Sequence, residues 1–316
     1  MHVMLTRHWR GNNIGEKMVL KNFAVIQGDC TCNNGIINYT EAKTNDEGTK
    51  IRKLPAIVRS SECFSNGKIS FSVKLTSTRS SYICVLKSID NRDLYIGFNR
   101  ILHSYFIRYA DESNEKCLAS AGTLENVSLD SFFNINIEVM GSKINFFVNN
   151  VLICNADVSL KEAPIEFHIN GQHEVTIKDV SIDKEQKSVF VVMQFTQEYN
   201  DLYEQVIIPV ISKYNMNCIR ADDIYTATPI LADIINEIKA ASIVIADITP
   251  DNPNVFYELG FAHALNKPTI VLSEKQRTKL PFDVSGLRTI FYDNSIAGKA
   301  KVEQTLTKFI EKIIKA

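Results

Sequence analysis

Two hydrophobic rhythms divide the chain. From about residue 21 to 183 apolar positions alternate with polar ones, as where Ile69, Phe71, Val73 and Leu75 are separated by Ser70, Ser72 and Lys74. The same period of two returns in Phe133, Ile135, Ile137 and Val139, and it is the period of a strand with one buried face. Turn signals fall between such runs, Gly141-Ser142 ahead of 144–148 and Asn149-Asn150 ahead of 151–153. Many short strands at this spacing predict an all-β sandwich. A short charged stretch between about 181 and 188 reads as a linker. After it the rhythm changes. Continuous apolar strands are predicted at 188–193, 217–219, 242–246, 268–272 and 288–292, alternating with helices at 198–214, 229–241, 253–265 and 296–316. Such alternation predicts a parallel sheet wound by right-handed crossovers, with the five strands in the order 2-1-3-4-5. The switch point then falls between the first and third strands, and Asp247 ends the third.

The most informative stretch is 243–265. Its helix has clear signals at both ends: Asn252 as N-cap, Pro253 at the first helical position, Asn266 beyond the end and Pro268 as a stop. At helical spacing Val255, Leu259, Ala262 and Leu265 form the inward stripe, and Glu258 lies on it. A carboxylate on a packed stripe is costly unless something holds it. Taken alone, Glu258 reads as a helix-edge salt bridge. With Asp247 just upstream, and with Gly260 and Ala262 read as permitting tight packing, a site at the carboxyl ends of the strands becomes the sharper expectation.

Composition adds limits. The chain of 316 residues is 45% hydrophobic and 22% charged, enough apolar content for a core in each of two domains. A formal net charge of -1 gives no reason to expect a polyanion, so no nucleic-acid partner is expected. No apolar run is long enough to span a bilayer, so no membrane partner is expected either. Residues 1–20 lack the apolar core of a secretion signal and read as a polar leader that need not be ordered, with Met18 as an alternative start. A cytoplasmic location is therefore expected. The 7 cysteines are an odd count, and Cys30 and Cys32 are too close for a zinc knuckle, so buried free thiols are expected and no metal site.

The candidate chemistry follows from what is present around the expected crevice. Met193, Gln194 and Phe195 end the first strand, Arg220 to Tyr225 follow the second, and Asp247 through Asn254 lead to Glu258. Glycine-rich phosphate loops, a histidine-rich cluster and a nucleophile elbow are all missing. What remains is carboxylate chemistry beside aromatic rings. Carboxylates suit glycosidic cleavage, because the transition state is an oxocarbenium cation that a nearby anion stabilises or captures. If the leaving group is the nicotinamide of NAD, it departs neutral and no general acid is needed, so Glu258 alone suffices. If it is an ordinary nucleobase, a proton donor is required, and Asp247 or Asp251 would supply it. Phe195, Tyr225 and Tyr257 are candidates to stack on a base, with core or rim packing as the alternative. Arg220 is a candidate for a pyrophosphate, with an ion pair to Asp222 or Asp223 as the alternative. Gln194, Asn254 and Asp247 complete the expected substrate-binding set.

Two resemblances sharpen this. The succession of strands over about 35–183 resembles the concanavalin A-like (laminin G-like) jelly roll, a fold whose members usually bind glycans or other ligands. Its hydrolases carry closely spaced acidic residues on one strand, a spacing this segment lacks. A ligand-sensing, docking or assembly domain is implied. Over about 187–316, the motifs at 189–195, 219–224, 243–249, 252–265 and 281–288 resemble the bacterial TIR-like proteins related to nucleoside 2-deoxyribosyltransferases. This resemblance implies a flavodoxin-like α/β fold, cleavage of NAD as a substrate with no cofactor, Glu258 as catalytic carboxylate, a gating loop at 222–229 and a role in antiphage defence. The chain lacks the Trp-Cys that precedes the Glu in better-known TIR domains, and the Asp-x-Gly-Thr lead-in of the deoxyribosyltransferases. Three readings stand: an NAD glycohydrolase; a nucleoside or nucleotide N-ribosyl hydrolase or transferase; and a non-catalytic scaffold whose TIR-like half self-associates while the β half binds a ligand. A homo-oligomer restrained or triggered through the β half is expected for the first.

Overall fold

The alternating segment folds into strands whose apolar residues share one side. In the computed structural model, which describes residues 17–40, 54–99, 103–110, 116–123, 127–223, 229–276 and 280–315, this half carries fifteen strands. They are β1 (Met18–Val19), β2 (Phe23–Gln27), β3 (Cys30–Asn33), β4 (Ile36–Tyr39), β5 (Ala56–Phe64), β6 (Gly67–Leu75), β7 (Ser81–Lys87), β8 (Asp93–Asn99), β9 (His103–Ala110), β10 (Cys117–Ala121), β11 (Phe133–Met140), β12 (Lys143–Val148), β13 (Val151–Asp157), β14 (Ala163–Asn170) and β15 (Val175–Lys184). One antiparallel sheet runs β13-β12-β11-β6-β15-β4-β3 with β1 added to β15, and the other runs β10-β9-β8-β7-β14-β5-β2. The core lies between them. Ile69, Phe71, Val73 and Leu75 of β6 point into it, where the Phe71 and Phe167 rings meet edge to face at 5.2 Å.

Two expectations at the margins need correction. Residues 17–20 are not leader: Met18 and Val19 pair with Ile182 and Ser181 of β15, and Leu20 is buried in the sandwich core. Residues 1–16 lie outside the described residues. The linker is also shorter than its charge run, because β15 continues through Lys184 and the next strand begins at Ser188. Within that run Ile182 is buried in the sandwich core, Asp183 is half-buried and Lys184 is exposed.

The second half is the doubly wound sheet. Strands β16 (Ser188–Val192), β17 (Asn217–Arg220), β18 (Ile243–Asp247), β19 (Thr269–Glu274) and β20 (Thr289–Tyr292) are parallel in the order β17-β16-β18-β19-β20. Helices α1 (Gln197–Leu202), α2 (Ile208–Ser212), α3 (Ile230–Ala240), α4 (Pro253–Ala264) and α5 (Ile296–Lys315) cover its faces. Alternate residues of β16 divide between two cores: Val189 and Val191 pack with α1, α2 and α5, whereas Phe190 and Val192 pack with α3 and α4. The single helix expected over 198–214 is interrupted by a π turn at Tyr203–Ile207. Pro209 lacks the N–H that would continue the α ladder, and the wider turn precedes it.

The halves are joined at the C-terminal end of α3, whose last carbonyls have no partner within the helix. Ser142, in the β11–β12 turn of the sandwich, donates its backbone N–H to Lys239 O at 2.9 Å and its hydroxyl to the same oxygen at 3.2 Å. Lys267 is buried and donates its ammonium to Lys239 O at 2.7 Å and Ala241 O at 2.5 Å. Lys239 in turn pairs with Asp157 at 3.0 Å. The approach is close enough to demand glycine. Gly141 has φ +59°, and a Cβ there would stand 2.3 Å from Ala240 O.

Gly260 behaves oppositely. It was expected to permit tight packing, but it is exposed on α4 and a Cβ there would meet nothing within 4 Å. Gly141→Ala should therefore lower the melting temperature, costing about 1–3 kcal/mol for the forced contact, while Gly260→Ala should raise the melting temperature through a gain of up to about 1 kcal/mol in helix propensity. Thermal unfolding of the two variants beside the parent checks both; a Gly141→Ala protein as stable as the parent would mean the joint is not formed as described.

Candidate functional site

The helix that carries Glu258 starts as its sequence requires. Asn252 is extended at the N-cap and its side-chain oxygen accepts the Asn254 N–H at 3.0 Å, with Pro253 in the first turn. Val255, Leu259 and Ala262 are buried against β16, β18 and β19, which fixes the helix's rotation about its axis. Glu258, one turn after Asn254, then falls at the edge of that stripe, half-buried. Among the described residues no hydrogen bond or ion pair reaches its carboxylate. Burial alone pushes its pKa up to about 7.

Glu258 faces a cleft of about 780 Å³ over the carboxyl ends of β16 and β17, walled by the helix that follows β18 across the switch point between β16 and β18. The floor is Val191, Val192 and Met193, and one wall is α4 with Asn252, Asn254, Val255 and Tyr257. The opposite wall is the first turns of α3 with Ile230, Leu231, Asp233 and Ile234, while Gln194, Phe195, Ala221 and Asp222 close the remaining side. Phe195 and Tyr257, 50% and 53% exposed, stand at the rim and present ring surface to anything that enters. Five of the residues expected from sequence are thus brought together: Gln194, Phe195, Asn254, Tyr257 and Glu258. Tyr225, with most of the expected gating loop, lies outside the described residues.

Two expected members are placed elsewhere. Asp247 is fully buried at the tip of β18, not in the cleft, and accepts the Thr249 N–H at 3.0 Å and the Tyr292 hydroxyl at 2.6 Å. Burial, reinforced by this carboxylate, drives the Tyr292 pKa far upward, so the phenol remains a donor. The pair ties the turn after β18 to β20, and the role of Asp247 here is to hold that turn. Arg220 is likewise buried and engaged. Its guanidinium forks onto Asp222 at 2.6 and 2.5 Å, donates to Asn200 Oδ1 at 2.9 Å, and stacks 4.2 Å over the Tyr203 ring. The ion-pair alternative describes it. Tyr203 completes the cluster by donating its hydroxyl to Asp223 at 2.8 Å.

Sequence reasoning passed over Asp233. It is 4% exposed and lines the cleft from α3. The signal was available: Ile230, Asp233 and Ile234 share a face at the same spacing that singled out Glu258. The site therefore offers an apolar floor, two rim aromatics, three neutral amides and three carboxylates, of which Asp222 is neutralised by Arg220. A desolvated carboxylate in such a place interacts strongly with a cation, because little water screens it.

The sandwich carries its own groove of about 360 Å³ on the larger sheet. Its polar side chains bond mainly to each other, Ser70 to Asn136 at 2.7 Å, Ser72 to Asn134 at 2.9 Å and Asn136 to Asn150 at 3.1 Å.

No protein-family model matches the chain, and no curated protein matches it. Among solved structures, the sandwich is similar to the carbohydrate-binding module CBM66 from Bacillus subtilis, at 9% identity over 52% of this chain and 97% of that one, with a TM-score of 0.41. It is similar to a Bacillus licheniformis beta-glucanase at 9% identity over 56% and 100% of the two chains, TM-score 0.40. It is also similar to a Bacillus subtilis protein of unknown function with a galectin-like fold, at 9% identity over 56% and 98%, TM-score 0.41.

Proposed function

We propose that the parallel-sheet half is a TIR-like NAD glycohydrolase in which Glu258 stabilises or traps the ribosyl cation formed as nicotinamide leaves. The observation that carries this is an unpartnered, desolvated carboxylate facing a cleft large enough for the nicotinamide and ribose of a dinucleotide, at the switch point of a wound sheet. The reaction needs an anion beside the anomeric carbon and no acid for the leaving group, and the site supplies that. Gln194 and Asn254 line the cleft and in this reading hydrogen-bond ribose hydroxyls, while the rim rings of Phe195 and Tyr257 cover a base. The choice of NAD draws on the TIR-like motifs, above all the run from Asn252 to Leu265. Cleavage of an ordinary N-riboside is the second reading. It is favoured by Asp233, a further carboxylate in the cleft able to serve as the acid that a nucleobase leaving group requires.

An enzyme that consumes NAD must be restrained, and the proposal extends to a defence effector whose sandwich half governs the catalytic half. Support comes from the joint at α3: the sandwich's Gly141-Ser142 turn grips one end of the helix whose other end walls the cleft.

Glu258→Gln should lower nicotinamide release by at least about 10²–10³-fold, measured chromatographically on full-length protein; retention of parental activity ends the assignment. The same variant reports on folding. Because the folded pKa lies above that of an unfolded carboxyl, Glu258 costs stability as pH rises toward and through about 7. The Gln variant should then melt higher than the parent at about pH 8 and equal to it near pH 4.5, where the folded parent's carboxyl is protonated as well.

Activity should show the matching limb. The ionised form is the working one, so kcat/KM should rise about tenfold per unit as pH climbs to about 7 and then level. The bound cationic ring favours the carboxylate, so the limb in kcat should lie at lower pH than the limb in kcat/KM. A kcat/KM that instead falls as pH rises through 7 would assign Glu258 the role of proton donor and sink this mechanism.

A further inference from the structure

The charge of the cleft restricts which part of a substrate it can hold. Three carboxylates line it, and among the described residues no lysine or arginine does. The nearest guanidinium, that of Arg220, is committed to Asp222 and Asn200 from a buried position. A helix N-terminus is the usual substitute seat for a phosphate, but α4 offers a poor one. Pro253 has no N–H, the Asn254 N–H is taken by the Asn252 side chain, and the Phe256 N–H bonds Asn252 O at 3.2 Å. On the facing helix, the first turn of α3 presents an acidic residue, Asp233, to the cleft and no basic one. A pyrophosphate lodged there would bring like charge next to the desolvated Glu258 carboxylate, with neutral amides but, among the described residues, no cationic side chain lining the cleft to offset it.

We propose that the cleft binds only the cationic base and its ribose, leaves any phosphate in solvent, and so accepts phosphate-free N-ribosides of a cationic base as substrates in their own right. This rests on the N-glycoside-cleaving reading above. In the step, the bond from ribose C1′ to the pyridinium nitrogen breaks and its electron pair stays on nitrogen, which neutralises the ring. Water adds to C1′ opposite or in place of the departing base and gives its second proton to solvent, so a riboside cation and water yield free base, ribose and one proton. The carboxylates then act twice, drawing the positive ring inward and stabilising the charge that passes to the sugar.

The test compares initial rates of nicotinamide release by the full chain from NAD, nicotinamide mononucleotide and nicotinamide riboside, each at low and high salt. The proposal expects kcat/KM for the riboside to equal or exceed that for NAD, with any deficit under about tenfold, the equivalent of 1.4 kcal/mol. Added salt should lower kcat/KM for the riboside cation and leave that for NAD unchanged or raised, since screening removes attraction for one and repulsion for the other. NAD turned over while the riboside is left intact, or NAD turnover falling more steeply with salt than riboside turnover, overturns the proposal and leaves the NAD-cleaving reading standing. Release from none of the three overturns both.

Discussion

A parallel sheet wound outward in both directions must part its connections somewhere, and the rest of this molecule's site depends on where that happens. The chain leaves β16 for its neighbour on one side and later returns to add β18, β19 and β20 on the other. Right-handed crossovers then place α1 and α2 on one face and α3 and α4 on the opposite face. The strand ends at the point of reversal are left uncovered, and the opening is bounded by the first turns of α3 and α4. No residue of the site had to fold specially for the cleft to exist. The winding makes the opening, and the side chains at helix starts decide what it can do.

Two carboxylates near that opening show how environment divides labour between like groups. Asp247 is more deeply buried than Glu258 but has donors, the Thr249 N–H and the Tyr292 hydroxyl, so its charge is held and its task is structural. Glu258 is less buried but has none among the described residues, so desolvation is uncompensated and its pKa rises to about 7. A group kept in that condition is poorly placed for stability. Electrostatic strain of this kind is useful where a cation will arrive to relieve it.

The strand order and both ends of α4 were legible in the sequence because each is set by local signals: apolar runs, the Asn252-Pro253 start, and Asn266, which does adopt the left-handed conformation at φ 52°. Glu258 was legible for the same reason, since helical spacing alone puts it beside the buried stripe. What escaped depends on residues far apart in the chain. Tyr292, which bonds Asp247, is 45 positions away, and Arg220 is engaged by Asn200 and Tyr203 from the helical segment that connects β16 to β17. The π turn was hidden because the apolar positions of α1 and α2 keep a near-helical spacing through it. The joint between the halves left no periodic trace at all: Gly141 reads as an ordinary hairpin glycine until Ala240 is brought against it.

That joint makes α3 more than a connector. Its 11 residues span about 16 Å at the usual rise. At one end its carbonyls are held by Ser142 of the sandwich and by Lys267 of the loop between α4 and β19; at the other, Ile230, Leu231 and Asp233 face the cleft. A helix this short does not bend readily without a proline or glycine, and α3 has neither. Displacement at the sandwich end must therefore appear at the cleft end, or else break the hydrogen bonds that satisfy otherwise orphaned carbonyls. The buried Lys267 ammonium raises the stakes. Burial lowers its pKa to about 7 against the opposing pull of Asp157, so the contact that locks the helix terminus costs desolvation to maintain. A shift of the β11–β12 turn would act directly on the acceptor that Ser142 and Lys267 share, the Lys239 carbonyl, at the end of a helix whose other end walls the cleft.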